Sequence, residues 1–229
     1  MSVVLITGAT SGMGKLTAEL LSKSGYCVYA GTRDSEAKEI DGATLKPIYL
    51  DVTKTRSIQD AVAHIMAQEG RIDVLINNAG YGLLSTVEDA TDDEMFRQFD
   101  VNVLGLLKVT RAVLPHMRQA RHGVIINISS FLGKMGLPLL THYNASKYAV
   151  EGITDSLRFE TLPYNIRVHA IESGLFRTNF VHKGLAVNAQ TTADDSPYKA
   201  LVDHFVPMVA KAINDGPDPQ PIAQAVKAI

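Results

Sequence analysis

One cysteine, Cys27, stands in 229 residues, so no disulfide can form within the chain. It falls in an apolar run and reads as a small buried hydrophobe. Charge of one sign is equally scarce. Lys and Arg number 22 against 24 Asp and Glu, a net charge of -2, which excludes the basic footprint of a nucleic-acid binder or of a polybasic membrane surface. No apolar run approaches the roughly 20 residues that span a bilayer. The seven His are scattered, without a spacing such as His-Glu-x-x-His, so no metal site is expected. There is no internal repeat, low-complexity tract or linker between domains. The first strand begins near residue 3, which leaves no room for a signal peptide. These absences point to one domain over 1–229, cytoplasmic and reducing, whose chemistry needs no metal.

What is present suits an α/β core, with 46% hydrophobic and 20% charged residues. Six strands are expected at Val3–Thr7, Cys27–Thr32, Lys46–Asp51, Asp73–Asn77, Gly123–Ser129 and Ile166–Ile171. Helical stretches near 12–24, 55–69, 91–118 and 143–162 separate them. Strict alternation implies parallel strands joined by right-handed crossovers. After residue 172 the pattern changes. Leu175 to Ser196 is polar and irregular, Ser196-Pro197 reads as a helix start, and Pro207 is expected to kink or interrupt that helix. A last helix begins within the final eight residues.

Two local patterns carry chemistry. Gly8-Ala9-Thr10-Ser11-Gly12-Met13-Gly14 joins the first strand to the first helix, presenting free backbone N–H groups at a helix N-terminus, a phosphate site. The alternative is an ordinary tight connection. Tyr143 and Lys147 lie four apart, hence on one helix face. An ammonium beside a phenol favours the phenolate and hence a general base. The alternative is a packed ring and a solvated amine. Ligands bind beyond the carboxyl ends of parallel strands, and all six strands end in suitable residues: the glycine turn, Arg33, Asp51, Asn78-Ala79-Gly80, Ser130 and Ser173-Gly174.

Taken in order, Thr7 to Gly14, Asp51-Val52, Asn77 to Gly80, Asn102, Ser129-Ser130, Tyr143 to Lys147 and, less closely, Ser173 to Thr178 resemble the short-chain dehydrogenase/reductase family, over residues 2 to about 180. The resemblance implies a single-domain α/β fold, a doubly wound parallel sheet of Rossmann type. It also implies hydride transfer between a nicotinamide cofactor and a small-molecule alcohol or carbonyl compound. Asn102, Ser130, Tyr143 and Lys147 would form the catalytic set. Tyr143 would exchange a proton with the substrate oxygen, Ser130 would hydrogen-bond that oxygen, and Lys147 would lower the Tyr143 pKa and bind ribose hydroxyls. Asn102 would hold a water that links Lys147 to solvent, or else cap or kink its helix. Gly8, Ser11, Gly12, Met13, Gly14, Arg33, Asp51, Val52, Asn78, Ala79, Gly80 and Thr178 would join Tyr143 and Lys147 in binding the cofactor. Asp51 would meet the adenine amino group, cap a helix near Thr53, or do both.

Arg33 follows the second strand where an acidic residue suits NAD. An Arg there pairs with a 2′-phosphate and favours NADP over NAD, although Asp34 could neutralise it. Tyr26 to Asp34 and Ile171 to Thr178 are similar to the branch with hydroxysteroid and retinol dehydrogenases, which suggests a bulky apolar substrate. Relatives pair the helices near 91–118 and 143–162, so a homo-oligomer, dimer or tetramer, is expected.

The sequence departs from the family's pattern at two places. Ser173 stands where Pro is usual, so a looser loop is expected. The usual seventh strand is missing, which predicts that the sixth lies at an open edge beside an open pocket. Residues 175–205 are expected to cover the substrate, held by few contacts. Two other readings remain at this point: an NADP-binding sensor or scaffold without turnover, and a nucleotide-sugar epimerase, which would need a longer chain and another glycine spacing.

Overall fold

A computed structural model describes residues 1–34, 36, 44–177 and 184–229. Six strands pair in parallel: β1 (Val3–Ile6), β2 (Cys27–Thr32), β3 (Leu45–Tyr49), β4 (Val74–Asn77), β6 (Gly123–Ser130) and β7 (Ile166–Ser173). They form one sheet in the order β3-β2-β1-β4-β6-β7. The six expected strands are all present within a residue or three of their expected ends. Every residue of β1 and β6 is buried. That is why β1 and the first half of β6 read as apolar runs rather than alternating ones: helices cover both faces.

On one face Ile58, Val62 and Ile65 of α2 (Thr55–Glu69) and Val109, Val113 and Met117 of α4 (Leu106–Ala120) pack against Leu5, Leu75 and Ile125. On the other face Ala18 and Leu21 of α1 (Gly12–Lys23) and Val226 of α7 (Gln220–Ala228) pack against Val4, Ile76 and Ile126. The sheet is therefore doubly wound. A buried polar ladder ties the central strands to the covering helices. Asn77 Nδ2 donates to Thr110 Oγ1 (3.0 Å) and to Asn127 Oδ1 (2.9 Å), and Asn127 Nδ2 donates to Thr154 Oγ1 (2.9 Å). Thr154 belongs to α5 (Thr141–Thr161), so the helix that carries Tyr143 and Lys147 is fixed to the sheet.

Four features differ from the sequence reading. The helix expected over 91–118 is interrupted. Thr91 and Glu94 close a capping box on α3 (Asp92–Phe99), a π-helical turn occupies Asp100–Gly105, and α4 resumes at Leu106. A two-stranded parallel ribbon, β5 (Gly82–Leu84) with β8 (Leu185–Val187), was not expected at all. Its strands are three residues long, and a long-range partner rather than local pattern defines them. The helix after Pro197 starts two residues later, as α6 (Lys199–Asn214), with Ser196 Oγ accepting from Tyr198 N–H (3.2 Å). Pro207 neither ends nor interrupts α6. Burial of Val202 and Phe205 in an apolar cluster around Tyr143 outweighs the lost backbone hydrogen bond.

Glu69 is a stability element outside the site. It accepts from Lys46 Nζ (2.9 Å), Tyr29 OH (2.8 Å) and Cys27 Sγ (3.5 Å). The Lys46 bond chiefly holds its carboxyl below the usual glutamate value. The contribution of a depressed carboxylate is complete above its unfolded value near 4.5 and is lost as pH falls through the folded value. Glu69→Gln should therefore cost about 1–2 kcal/mol at neutral pH, given that the pair is partly solvated. In urea unfolding the gap to the parent should shrink on acidification. An equal gap at neutral and acidic pH would show that charge is not what Glu69 contributes.

Candidate active site

The carboxyl ends of the strands open into a cleft of about 1150 Å³. Its first end is the glycine turn. Gly8 and Gly12 both have positive φ, +65° and +54°, the left-handed region that glycine enters without strain. A Cβ on Gly14 would stand 2.3 Å from Asn78 Nδ2 and 2.5 Å from the Gly8 carbonyl oxygen, whereas a Cβ on Gly12 would meet nothing within 4 Å. One glycine permits close packing beneath the turn; the other leaves the cleft side clear. Ser11 is the N-cap of α1 in extended geometry, its hydroxyl makes no capping bond, and the first turn holds no acidic residue. The positive end of α1 therefore faces the cleft uncompensated.

Thr7 and Asn78 hold this turn against β4. Asn78 N–H and Ala79 N–H both donate to Thr7 Oγ1 (3.0 Å each). Asn78 Nδ2 donates to the carbonyls of Thr7 (2.9 Å) and Gly8 (2.8 Å). Asn78 thus lines the cleft with its side chain already committed to bracing the turn. Gly80 packs beside Asn102.

Arg33 is exposed and lines the cleft beside Asp51 and Val52. Asp34 N–H donates to Thr32 Oγ1 (3.0 Å), and Asp34 Oδ1 accepts from Glu36 N–H (3.0 Å), so this carboxylate turns to its own loop. Burial alone would raise the Asp51 carboxyl. The N–H and hydroxyl of Thr53 outweigh it, with help from Lys54 and Arg33, and hold Asp51 below its ordinary value. α2 starts at Thr55 with Lys54 at its N-cap, so Asp51 closes a turn onto Thr53 and does not cap the helix.

Ser130, Tyr143 and Lys147 meet in the middle of the cleft, and all three are buried. The Lys147 ammonium lies 5.7 Å from the Tyr143 ring centroid and donates to the Ile128 carbonyl (2.8 Å). Burial pushes the Tyr143 phenol up to about 12, against a lowering hydrogen bond with Ser130. Burial also pushes the Lys147 ammonium down to about 8, against the raising charge of Glu151. In this state burial, rather than the neighbouring lysine, governs the phenol. Ser130 Oγ also donates to the Ser173 carbonyl (3.4 Å) and accepts from Leu132 N–H (3.2 Å).

Asn102 sits in the π turn. Its Oδ1 accepts from Tyr81 N–H (3.0 Å), and its Nδ2 donates to the Tyr81 carbonyl (2.8 Å) and to Ser146 Oγ (3.1 Å). Ser146 in turn donates to the Tyr143 carbonyl (2.7 Å). The amide therefore bridges the β4 loop to the helix of Tyr143. Extra-residue turns of this kind recur at functional sites. Ser146 was overlooked in the sequence although it lies between Tyr143 and Lys147.

At its other end the cleft is apolar, lined by Leu140, Leu185, Phe205 and Val209, part of a cluster packed around Tyr143. Phe176 also lines it, whereas Val187 points away, 52% exposed. Thr178 and Phe180 lie outside the described residues. Ser173 itself is held: its hydroxyl donates to the Ser129 carbonyl (3.1 Å), tying the end of β7 to β6. The covering region is likewise better held than expected from 185 onward. Asn188 Nδ2 donates to the Asp89 carbonyl (3.1 Å) and Glu94 Oε2 (2.8 Å), and Thr191 Oγ1 donates to Asp89 Oδ2 (2.7 Å). These bonds tie Asn188 and Thr191 to Asp89 and Glu94.

Among the described residues no group of three or more His, Cys, Asp or Glu is placed to hold a metal ion, and no helix is long and apolar enough to cross a membrane.

Comparison with known proteins agrees with this geometry. Residues 2–187 match the family profile described as short chain dehydrogenase. A 3-ketodihydrosphingosine reductase of Bacteroides thetaiotaomicron is 38% identical over 224 residues, 98% of this chain and 81% of that protein. The crystal structure of a short-chain dehydrogenase from Streptomyces avermitilis superposes with a TM-score of 0.86 at 32% identity, covering 100% of this chain and 84% of that one. The 3-ketoacyl-(acyl-carrier-protein) reductase of Brucella melitensis, complexed with NADH, gives 0.81 at 25% identity over 99% and 89%. A parallel, doubly wound sheet with its glycine turn and Tyr–Lys pair at one edge thus goes with similarity along nearly the whole chain: this protein belongs to the short-chain dehydrogenase/reductase family, nucleotide-binding oxidoreductases of Rossmann-type fold.

Proposed function

We propose that the chain is an NADP-dependent oxidoreductase that interconverts an apolar secondary alcohol and its ketone. The observation that carries this reading is the continuity of one cleft, from a helix N-terminus shaped by glycines, past Tyr143, into an apolar cluster. The residues fit a dinucleotide. Gly8 to Gly14 would offer backbone N–H groups to a pyrophosphate, Asp51 and Val52 would meet an adenine, and Lys147 would bind ribose hydroxyls. The bound cofactor supplies the hydride and, when oxidised, a positive ring. Tyr143 gives or takes the proton at the substrate oxygen. Its buried phenol is a poor base by itself; positive charge on the cofactor side and the Lys147 ammonium would lower it toward the working range. Ser130, already bonded to the phenol, holds the substrate oxygen in line. Asn102, through Ser146, keeps the turn of α5 that carries Tyr143 in place.

The apolar end favours a hydrophobic substrate, and the Bacteroides relative is named for a keto substrate. Turnover of ketones by the purified protein, followed at the NADPH absorbance band, tests the reading. No turnover with any apolar ketone, but tight dinucleotide binding, would favour a non-catalytic sensor.

Arg33 supports NADP. It stands exposed at the cleft wall beside Asp51, and the Asp34 carboxylate is engaged elsewhere. Arg33→Ala should weaken NADPH binding roughly ten- to a hundredfold, the loss of a charge-assisted hydrogen bond, and leave NADH nearly unchanged. Equal losses in titrations with the two cofactors would assign Arg33 no part in reading the phosphate. We further propose a cytoplasmic homo-oligomer, a dimer or tetramer, as the working form.

A further inference from the structure

Glu151 lies on α5 one turn beyond Lys147. Four residues return to the same helix face, and both residues are buried, Glu151 at 7% and Lys147 at 8% exposure. Each is incompletely compensated. The Lys147 ammonium donates to a neutral carbonyl, that of Ile128. Glu151 pairs through Oε2 with Lys134 (3.2 Å), which is half exposed and also reaches Glu172 (3.7 Å). Glu151 Oε1 has no hydrogen-bond partner among the described residues.

The carboxylate stem has little freedom to swing outward. A Cβ on Gly133 would stand 2.9 Å from Glu151 Cγ and 3.0 Å from the Lys147 carbonyl oxygen, so the turn after Ser130 closes over both residues. A buried cation with a neutral acceptor and a buried anion with an unused oxygen thus share one face of one helix. Taking either charge from water alone is costly; an opposite charge nearby offsets part of that cost.

We infer that Glu151 is a positioning residue for the active site, the buried counter-charge that keeps Lys147 an ammonium while the surrounding burial favours the neutral amine. The inference rests on the reading of Tyr143 and Lys147 as the proton-transfer pair. Burial holds Lys147 down to about 8 even with Glu151 present.

Other groups face this stretch of α5. From the turn after β6 there is Lys134, and from β7 there is Glu172. β6 presents Ser129, Ser130 and the Ile128 carbonyl, and the π turn presents Asn102 through Ser146. Tyr143 and Asp155 lie on α5 itself. Lys134 offsets part of the Glu151 charge, so removing Lys134 should not lower the Lys147 midpoint as removing Glu151 does. A role for Glu151 limited to anchoring Lys134 would make the two variants alike.

The test uses E151Q, E151D and K134M, with Lys147 titrated in the cofactor-free protein by trace acetylation and mass spectrometry across neutral to alkaline pH. In E151Q the Lys147 midpoint should fall by about one pH unit, a tenfold loss of proton affinity. In K134M it should stay or rise. The alkaline limb of kcat/KM should move with the midpoint in E151Q. An unmoved Lys147 midpoint in a folded E151Q, or the same fall in K134M, overturns the inference. A midpoint that falls while the pH profile stays fixed supports the counter-charge and instead counts against Tyr143 and Lys147 as the proton-transfer pair. Should E151Q fail to fold, E151D carries the test: withdrawing the carboxylate by one carbon should lower the midpoint by less but in the same direction, and no change overturns the inference.

Discussion

Tyr143→Phe should cut turnover about a thousandfold and leave dinucleotide affinity nearly unchanged. General acid–base groups contribute roughly 10²–10⁴ in rate, and nothing else in the cleft offers a hydroxyl at that position on α5. The ring itself is structural. It belongs to the apolar cluster with Leu84, Leu140 and Phe205, and a phenylalanine fills the same space. Losing the hydroxyl costs a hydrogen bond with Ser130, but Ser130 keeps the Ser173 carbonyl as acceptor. Stability should therefore change by less than about 1 kcal/mol. Retention of more than a few per cent of the parent rate, in single-turnover as well as steady-state assays, would remove Tyr143 from proton transfer.

Gly14→Ala should be strongly damaging for a change of one methyl group. The new Cβ would meet Asn78 Nδ2 at 2.3 Å and the Gly8 carbonyl at 2.5 Å, and these two groups are themselves hydrogen-bonded at 2.8 Å. Asn78 cannot turn aside cheaply, because the same amide nitrogen also donates to Thr7. Either both bonds are lost or the turn lifts away from β4. Overpacking of about 1–3 kcal/mol and unpaired polar groups of about 1–3 kcal/mol give a cost of roughly 2–6 kcal/mol. Gly12→Ala is the comparison. It meets no atom, and its positive φ costs roughly 1–2 kcal/mol. Chemical denaturation should rank Gly14→Ala well below Gly12→Ala, and calorimetric titration should find dinucleotide binding lost in the former. Similar stabilities for the two would show that the turn is not packed as described.

Local chemistry made most of the sheet and the middle of the site readable in advance. Val3 to Ile6 and Val124 to Ile126 are apolar because both faces of a parallel sheet are covered, and Tyr143 and Lys147 stood out by helical spacing together with the family resemblance. What escaped is defined by distant partners. Leu185-Ala186-Val187 is a strand because Gly82-Leu83-Leu84 lies beside it, and no three-residue pattern reveals that. The π turn at Asp100–Gly105 was not read either, because it adds a residue inside a run whose composition is otherwise helical. Pro207 misled because local propensity was given more weight than the packing of Phe205. Asn78 lines the cleft as expected from its place at the strand end, and its side chain also braces the glycine turn, which the sequence did not reveal. Thr178, read as a cofactor contact, lies outside the described residues.

The ribbon of β5 and β8 also bears on the order in which the molecule assembles. Thr191 and Asp89, bonded at 2.7 Å, are separated by 102 residues, and the two strands they flank offer only three residues each. Closing so long a loop carries an entropic cost that grows only slowly with length, but here it is set against a short ladder and a few buried side chains. The extensive pairings of β1, β2, β4 and β6 repay their closures far better. Refolding should therefore complete the dinucleotide half first and dock the ribbon late. For the same reason the substrate end should be the first cooperative unit to open in the native state, with the fastest amide exchange among its hydrogen-bonded strands.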